Sequence, residues 1–411
     1  MSRSWAWVAA ALAATCGPVQ PQAAQAQPVK EFAALKFQFA PGKAEPGYVL
    51  VAPGTEFSVE RGHGFDLGSK VTAVDHGTGG LRGGFCTSDK GVCFSVALPE
   101  GNYNVTVTLG DAKGESNTTV LAESRRLMVE KVRTAAGKFE TRTCTVNIPT
   151  SKLAGGGQVK LKDREMAALH WDDKLTLEFL GPRPCVCAVE IARNDDAATV
   201  YLAGDSTVTD QPKDEFRGWG QMLPRFFKPG VVAVANHAES GEATTSFLAA
   251  HRLDKILDTL KKGDYLFIQF GHNDQNQKRD VAVYKATLKR YVAAARERGA
   301  TPVLVTPMRR RTFDQGGKST NTLGDYPEAV RQLAKEEQVF LIDLNTMSKD
   351  FYEALGPADS KAAFVDNTHT NAYGAYEFAR YVADCLRQSD HSLGKHVVDD
   401  LPAANFKGPN R

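Results

Sequence analysis

From about residue 198 onward, five short apolar runs recur along the chain: 199–203, 231–234, 265–268, 302–305 and 339–342. Segments with helical spacing lie between and after them. Leu248, Leu253, Ile256, Leu257 and Leu260 trace one, and Ala375, Phe378, Ala379, Val382 and Leu386 fall at i, i+3, i+4, i+7 and i+11 of another. Apolar strands without polar alternation must be covered on both faces. This rhythm therefore predicts a parallel sheet between two helical layers, an α/β domain over residues 198–390. Reactive groups of such a sheet belong at the carboxyl ends of its strands.

The first half follows a different rhythm. Alternating stretches at 104–109, 141–148 and 175–179 are separated by Gly and Pro clusters such as Pro99-Glu-Gly101. Short alternating strands between turns predict an antiparallel β-sandwich of jelly-roll type over residues 30–197. The chain has 411 residues, enough for two or three domains at about 150 each. Before the sandwich, Arg3 precedes a mostly apolar run of about ten residues, too short to span a bilayer. Ala24-Gln-Ala26 then supplies a small-x-small cleavage pattern. A signal peptide over 1–26 and a secreted or periplasmic protein are expected. Export permits disulfides. Cys86 with Cys93 is the simplest closure, and Cys144 with Cys185 or Cys187 a second, among fifteen pairings open to six cysteines. Residues 391–411 show no periodicity and read as a loose or surface-packed extension.

Polar residues gather where the parallel strands end. The first run leads into Gly204-Asp-Ser206, where Gly204 allows a sharp turn and Ser206 is expected near a helix start. Free N–H groups there favour an anion. After the second comes Asn236-His-Ala-Glu-Ser-Gly241, and after the third Gly271-His-Asn273-Asp274. The Gly241 N–H and the Asn273 amide are both candidate oxyanion donors. Following the fifth run, Asp366 and His369 stand three residues apart. A carboxylate so placed can hold Nδ1–H and leave Nε2 to take a proton from a serine. Each block alone is weak, but together they converge on one edge of one sheet. His237 and His272 read as structural, Trp219 as core or cleft wall, and His170-Trp171-Asp-Asp173 as a turn before the next strand.

Gly204-Asp-Ser206, Gly241, Gly271-His-Asn273-Asp274 and Asp366-x-x-His369 resemble, in order, the four blocks of the SGNH (GDSL-type) hydrolases. Gly204-Asp-Ser-Thr-Val208, Trp219-Gly-Gln-Met-Leu223, residues 306–313 and Asp366-Asn-Thr-His-Thr-Asn371 look most like rhamnogalacturonan acetylesterases. The first half is similar to the galactose-binding-like sandwich that precedes some bacterial members. The resemblance implies a three-layer, flavodoxin-like SGNH domain with five parallel strands. It also implies Ser206 as nucleophile, His369 as general base and then acid, and Asp366 as its orienting partner. An oxyanion hole would be built from the Ser206 and Gly241 N–H groups and the Asn273 side chain. One block departs: where the family tends to have Gly-Arg-Ser, this chain has Gly241-Glu-Ala243, which keeps the N–H and changes what surrounds it.

The expected function is a serine carbohydrate esterase. It removes O-acetyl groups from plant cell-wall polysaccharide, foremost pectic rhamnogalacturonan, through an acetyl-enzyme. A xylan or broad short-chain acetylesterase of the same fold is the alternative, and a non-catalytic carbohydrate-binding protein the alternative of another class. Arg309 and Arg310, after the fourth strand, are candidates for holding a uronate carboxylate, since a guanidinium fork suits one. The expected partner is acetylated polysaccharide or oligosaccharide. A formal charge of +2 argues against broad nucleic-acid binding, and no later run is apolar enough to span a membrane. No cofactor or metal is expected, because Cys185-x-Cys187 lacks the spacing of a zinc clip. A monomer is expected.

Overall fold

The five apolar runs form five parallel strands in a computed structural model that describes residues 34–39, 43–77 and 79–405. The expected leader at 1–26 and residues 406–411 of the expected extension lie outside the described residues. In chain order the parallel strands are Ala198–Gly204, Val232–Asn236, Tyr265–Gln269, Thr301–Val305 and Phe340–Ile342. In space the order is second, first, third, fourth, fifth, with the first strand pairing in register with both the second and the third. The chain therefore leaves the first strand in opposite directions across the sheet, which opens a crevice at its carboxyl end.

Both faces of this sheet are covered, which explains the uninterrupted apolar runs. Val200 and Leu202 pack on one side with Phe351 and Phe378, while Tyr201 and Ala203 pack on the other with Leu288 and Leu333. The last helix, Ala372–Arg387, buries Ala375, Phe378, Ala379, Val382 and Leu386, the stripe read from the sequence. Asn371 caps it, accepting from the Tyr373 and Gly374 amides. The helical stretch after the second strand is two helices, Thr244–Ala249 and Arg252–Thr259, because His251 takes a left-handed φ of 60° between them. The segment after 390 is better packed than expected: Leu393 and Val397 are buried, and Val397 pairs with Phe227.

Residues before Ala198 form two facing sheets, of seven and five strands. Gly101–Asp111 runs antiparallel between Lys138–Ile148 and Val186–Arg193 in one, and Lys174–Arg183 between Val92–Ala97 and Ser116–Ala122 in the other. The expected disulfides do not form, and all six described cysteines are free thiols. Cys86 and Cys93 sit on strands of opposite sheets, which pack about 10 Å apart. Cys144 lies two strands away from the strand of Cys187, again beyond the ~7 Å Cα separation a bridge tolerates. Burial pushes the Cys86, Cys144 and Cys187 thiols up to about 12, so they behave as inert core residues.

From Ala34 onward the two sheet systems cluster as one compact unit. Charged pairs buried between them contribute to this. Arg126, in the sandwich, meets Asp210, beyond the first parallel strand, at 2.5 Å with both side chains 1% exposed. Arg252 and Glu165 form a second such pair. Breaking a buried pair leaves an uncompensated charge. Arg126→Ala is therefore expected to reduce stability by about 3–5 kcal/mol in urea denaturation. Adding Asp210→Asn should restore part of it; an unrestored loss would assign the effect to packing instead.

Candidate active site

Ser206 follows the first parallel strand on a turn and not at a helix N-terminus. The next helix, Trp219–Met222, begins only later and has a single turn. Asp205 makes this turn: its carboxylate accepts from Thr207 N at 3.0 Å and Thr207 Oγ1 at 2.8 Å, and its carbonyl accepts from Val208 N. Buried Asp205 is nevertheless held below the usual carboxylate range. Burial alone would raise it, but His272 and the Thr207 hydrogen bonds outweigh that. Gly204 is required for space: a Cβ there would lie 2.6 Å from Val208 Cγ2 and 2.9 Å from the Gln269 carbonyl. The turn is drawn tight against the third strand.

A continuous relay begins at this serine. Ser206 Oγ lies 2.9 Å from His369 Nε2, and His369 Nδ1 lies 2.8 Å from Asp366 Oδ2. The other Asp366 oxygen accepts from the backbone N–H groups of Thr368 and His369, at 2.6 and 2.7 Å. Burial would raise the Asp366 carboxyl, but the hydrogen bonds from His369 and these amides prevail and hold it below its ordinary value. The loop is fixed to its neighbours, with Thr370 Oγ1 donating to the Arg217 carbonyl at 2.7 Å and Phe216 meeting the His369 ring edge-on.

The other two predicted blocks come to the same place. Gly241 adopts φ 82°, and only open space and long side-chain ends surround its absent Cβ, so glycine is needed for conformation. Neither the Ser206 nor the Gly241 amide donates to a backbone carbonyl among the described residues. Asn273 is the second residue of the helix His272–Asn276 after the third strand and gives one N–H to the Glu242 carbonyl at 3.0 Å, leaving a second. Asp274 accepts from Thr244 N and Oγ1, tying this helix to the segment behind Gly241. Ser206, Gly241, Asn273 and His369 line one cleft of about 510 Å³, within the usual range for small-molecule sites.

The arginines expected to face the cleft do not line it. Arg309 donates to the Ser319 carbonyl at 2.8 Å, and Arg310 to Asn276 Oδ1 at 2.9 Å and Gln275 Oε1 at 3.1 Å. Arg311 holds Asn367 Oδ1 at 2.9 Å. Arg310 thus braces the helix that carries Asn273 and Arg311 the loop that carries His369, while Arg309 is held within the segment that follows the fourth strand. The cations at the cleft are Lys162, Arg164 and Lys213. Two of them come from the sandwich, whose His170 also lines the cleft. The connection 149–173 lacks strand alternation and is much longer than the ~12–15 residues beyond which such loops are usually functional. That length was the one available signal. The turn expected at His170–Asp173 is present as a 3₁₀ segment, and Trp219 is core, donating to Gln269 Oε1 at 2.9 Å. His272 holds Asp205 and the Met308 carbonyl, as a structural histidine would; His237 is packed between Trp171 and Tyr201 and kept neutral by burial.

A serine–histidine–aspartate relay at the switch point of a second-first-third-fourth-fifth parallel sheet defines the class of serine-dependent ester hydrolases. The chain belongs to the GDSL-like Lipase/Acylhydrolase family, whose pattern matches residues 202–376, and is a carboxylic ester hydrolase. Residues 35–149 match a second pattern, Beta-agarase/YXIM esterase-like, galactose-binding domain-like. Rhamnogalacturonan acetylesterase RhgT of Bacillus subtilis is 43% identical over 218 residues, covering 48% of this chain and 94% of that protein. Probable rhamnogalacturonan acetylesterase YesY of the same organism is 36% identical, over 49% of this chain and 98% of that protein. Similarity across both halves is found with its Uncharacterized esterase YxiM, 28% identical over 86% of this chain and 90% of that protein.

The Asp366 carboxyl is expected to titrate below its ordinary 3.8, as followed by carboxyl-carbon NMR. The depressed value means that its contribution to the loop is present above the unfolded pKa and is lost as pH falls through the folded one. A midpoint above 3.8 would contradict the hydrogen-bonded arrangement.

Proposed function

We propose that this protein is a serine carbohydrate esterase that removes O-acetyl groups from plant cell-wall polysaccharide, foremost pectic rhamnogalacturonan. The single observation that carries the reading is the Ser206–His369–Asp366 relay in a cleft shared with Gly241 and Asn273. The names of RhgT and YesY support the choice of acetyl group and polymer. The leader-like N-terminus supports action outside the cytoplasm.

In this reading His369 Nε2 takes the Ser206 proton as Oγ attacks the acetyl carbonyl, and Asp366 keeps the ring oriented and stabilises its charged form. The tetrahedral oxyanion receives hydrogen bonds from the Ser206 and Gly241 amides and the free Asn273 N–H. His369 then returns the proton to the departing sugar oxygen. Water, activated by the same imidazole, releases acetate from the acetyl-enzyme.

Acetate release from acetylated rhamnogalacturonan, homogalacturonan and xylan tests substrate and mechanism together. Ser206→Ala should lower kcat by roughly 10⁴- to 10⁶-fold, and full retention would overturn the assignment. A preference for xylan would move the substrate and leave the mechanism intact. Asn273→Ala should lower kcat by about 10²–10³-fold, with the Ser206–His369 geometry unchanged in a crystal structure; an unchanged kcat would remove Asn273 from the oxyanion hole.

A further inference from the structure

We propose that Lys162 and Arg164 of the sandwich are positioning residues for the esterase reaction: they hold and polarise the Ser240–Gly241 peptide whose N–H meets the oxyanion. The proposal rests on the reading of Gly241 as an oxyanion donor. Lys162 Nζ donates to the Ser240 carbonyl at 2.6 Å, and Arg164 Nη2 donates to the same oxygen. Two cations from one domain thus converge on one peptide group of the other.

A trans peptide is planar, with its C=O and N–H pointing in opposite directions. Securing the Ser240 oxygen on the sandwich side directs the Gly241 N–H away from the two cations. Charge-assisted bonds to the oxygen also draw electron density through the amide and strengthen its N–H as a donor. Such a hold matters at this position, because glycine at φ 82° has no side chain to anchor it.

Each cation is in turn aimed by carboxylates. Lys162 pairs with Glu242 at 2.5 Å, and Arg164 Nε donates to Glu239 at 2.7 Å. The Lys162 amide donates to Glu165 at 2.9 Å, and Glu165 is itself held by Arg252, which is fully buried. Glu242 stands where the resembling family tends to have arginine, and here it receives the sandwich lysine. The departure in the second block and the sandwich segment at 162–165 are thus two halves of one contact. Because their charges are matched by Glu239 and Glu242, Lys162 and Arg164 are better suited to fixing this loop than to capturing an acidic sugar.

Kinetics of the full chain on 4-nitrophenyl acetate, which carries no carboxylate, test the proposal. Lys162→Met and Arg164→Met should each lower kcat about 10-fold, short of the ~10²–10³-fold effect of deleting an oxyanion donor. KM should hold, and Lys162→Arg should recover most of the loss. If either methionine variant fails to fold, Lys162→Gln and Arg164→Gln are read in its place, with thermal melts as the control. An unchanged kcat in folded variants would overturn the proposal. So would a rise in KM confined to acidic oligosaccharides, which would make these residues substrate ligands. Ser206→Ala, assayed alongside, separates failure of this inference from failure of the esterase reading, since only the latter leaves that variant active.

Discussion

Burial of both faces of the five-stranded parallel sheet is the constraint on which the site depends. Val200 and Leu202 project into one apolar layer and Tyr201 and Ala203 into the other, so neither face can carry a reactive group. Polar chemistry is displaced to the strand ends. The first strand lies between the second and third, so the loops bearing Ser206, Gly241 and Asn273 meet at one crevice. His369 and Asp366 reach it from the loop before the last helix.

The sandwich completes that crevice. Arg126 reaches the segment just beyond Ser206 through Asp210, and Gln221 donates to the Ser124 carbonyl at 2.6 Å. Lys162, Arg164 and His170 supply a wall of the cleft. Buried charges with matched partners contribute little net stability but penalise separation strongly. An interface built this way holds two domains in one register, which a site assembled across them requires.

The strands and the last helix were legible from their apolar period, and the Ser206–His369–Asp366 relay from polar blocks at strand ends together with the three-residue spacing of Asp366 and His369. The misreadings share a different origin. Ser206 was expected near a helix start, but Asp205 spends its carboxylate on Thr207 and makes a turn there. Arg309 and Arg310 follow a strand end, yet their guanidinium groups are taken by the Ser319 carbonyl and the Asn276 side chain, and neither lines the cleft. The cysteines were spaced for bridges along the chain and are separated by sheets and strands across it. Sequence spacing says which groups are near along the backbone, and hydrogen-bond partners are chosen in space.

Residue order alone therefore determined the class of fold, the edge of the sheet where chemistry belongs, and the relay that stands there. The fold class follows from periodicity, and the relay from short polar blocks at strand ends, although Ser206 and His369 lie 163 residues apart and meet only on the assembled sheet edge. Tertiary structure decided which cations face the cleft, which cysteines stay free, and that Ser240 is held from the other domain. The partners of Lys162 and Arg164 lie more than seventy residues away, and only the packing of one domain on the other brings them within a hydrogen bond.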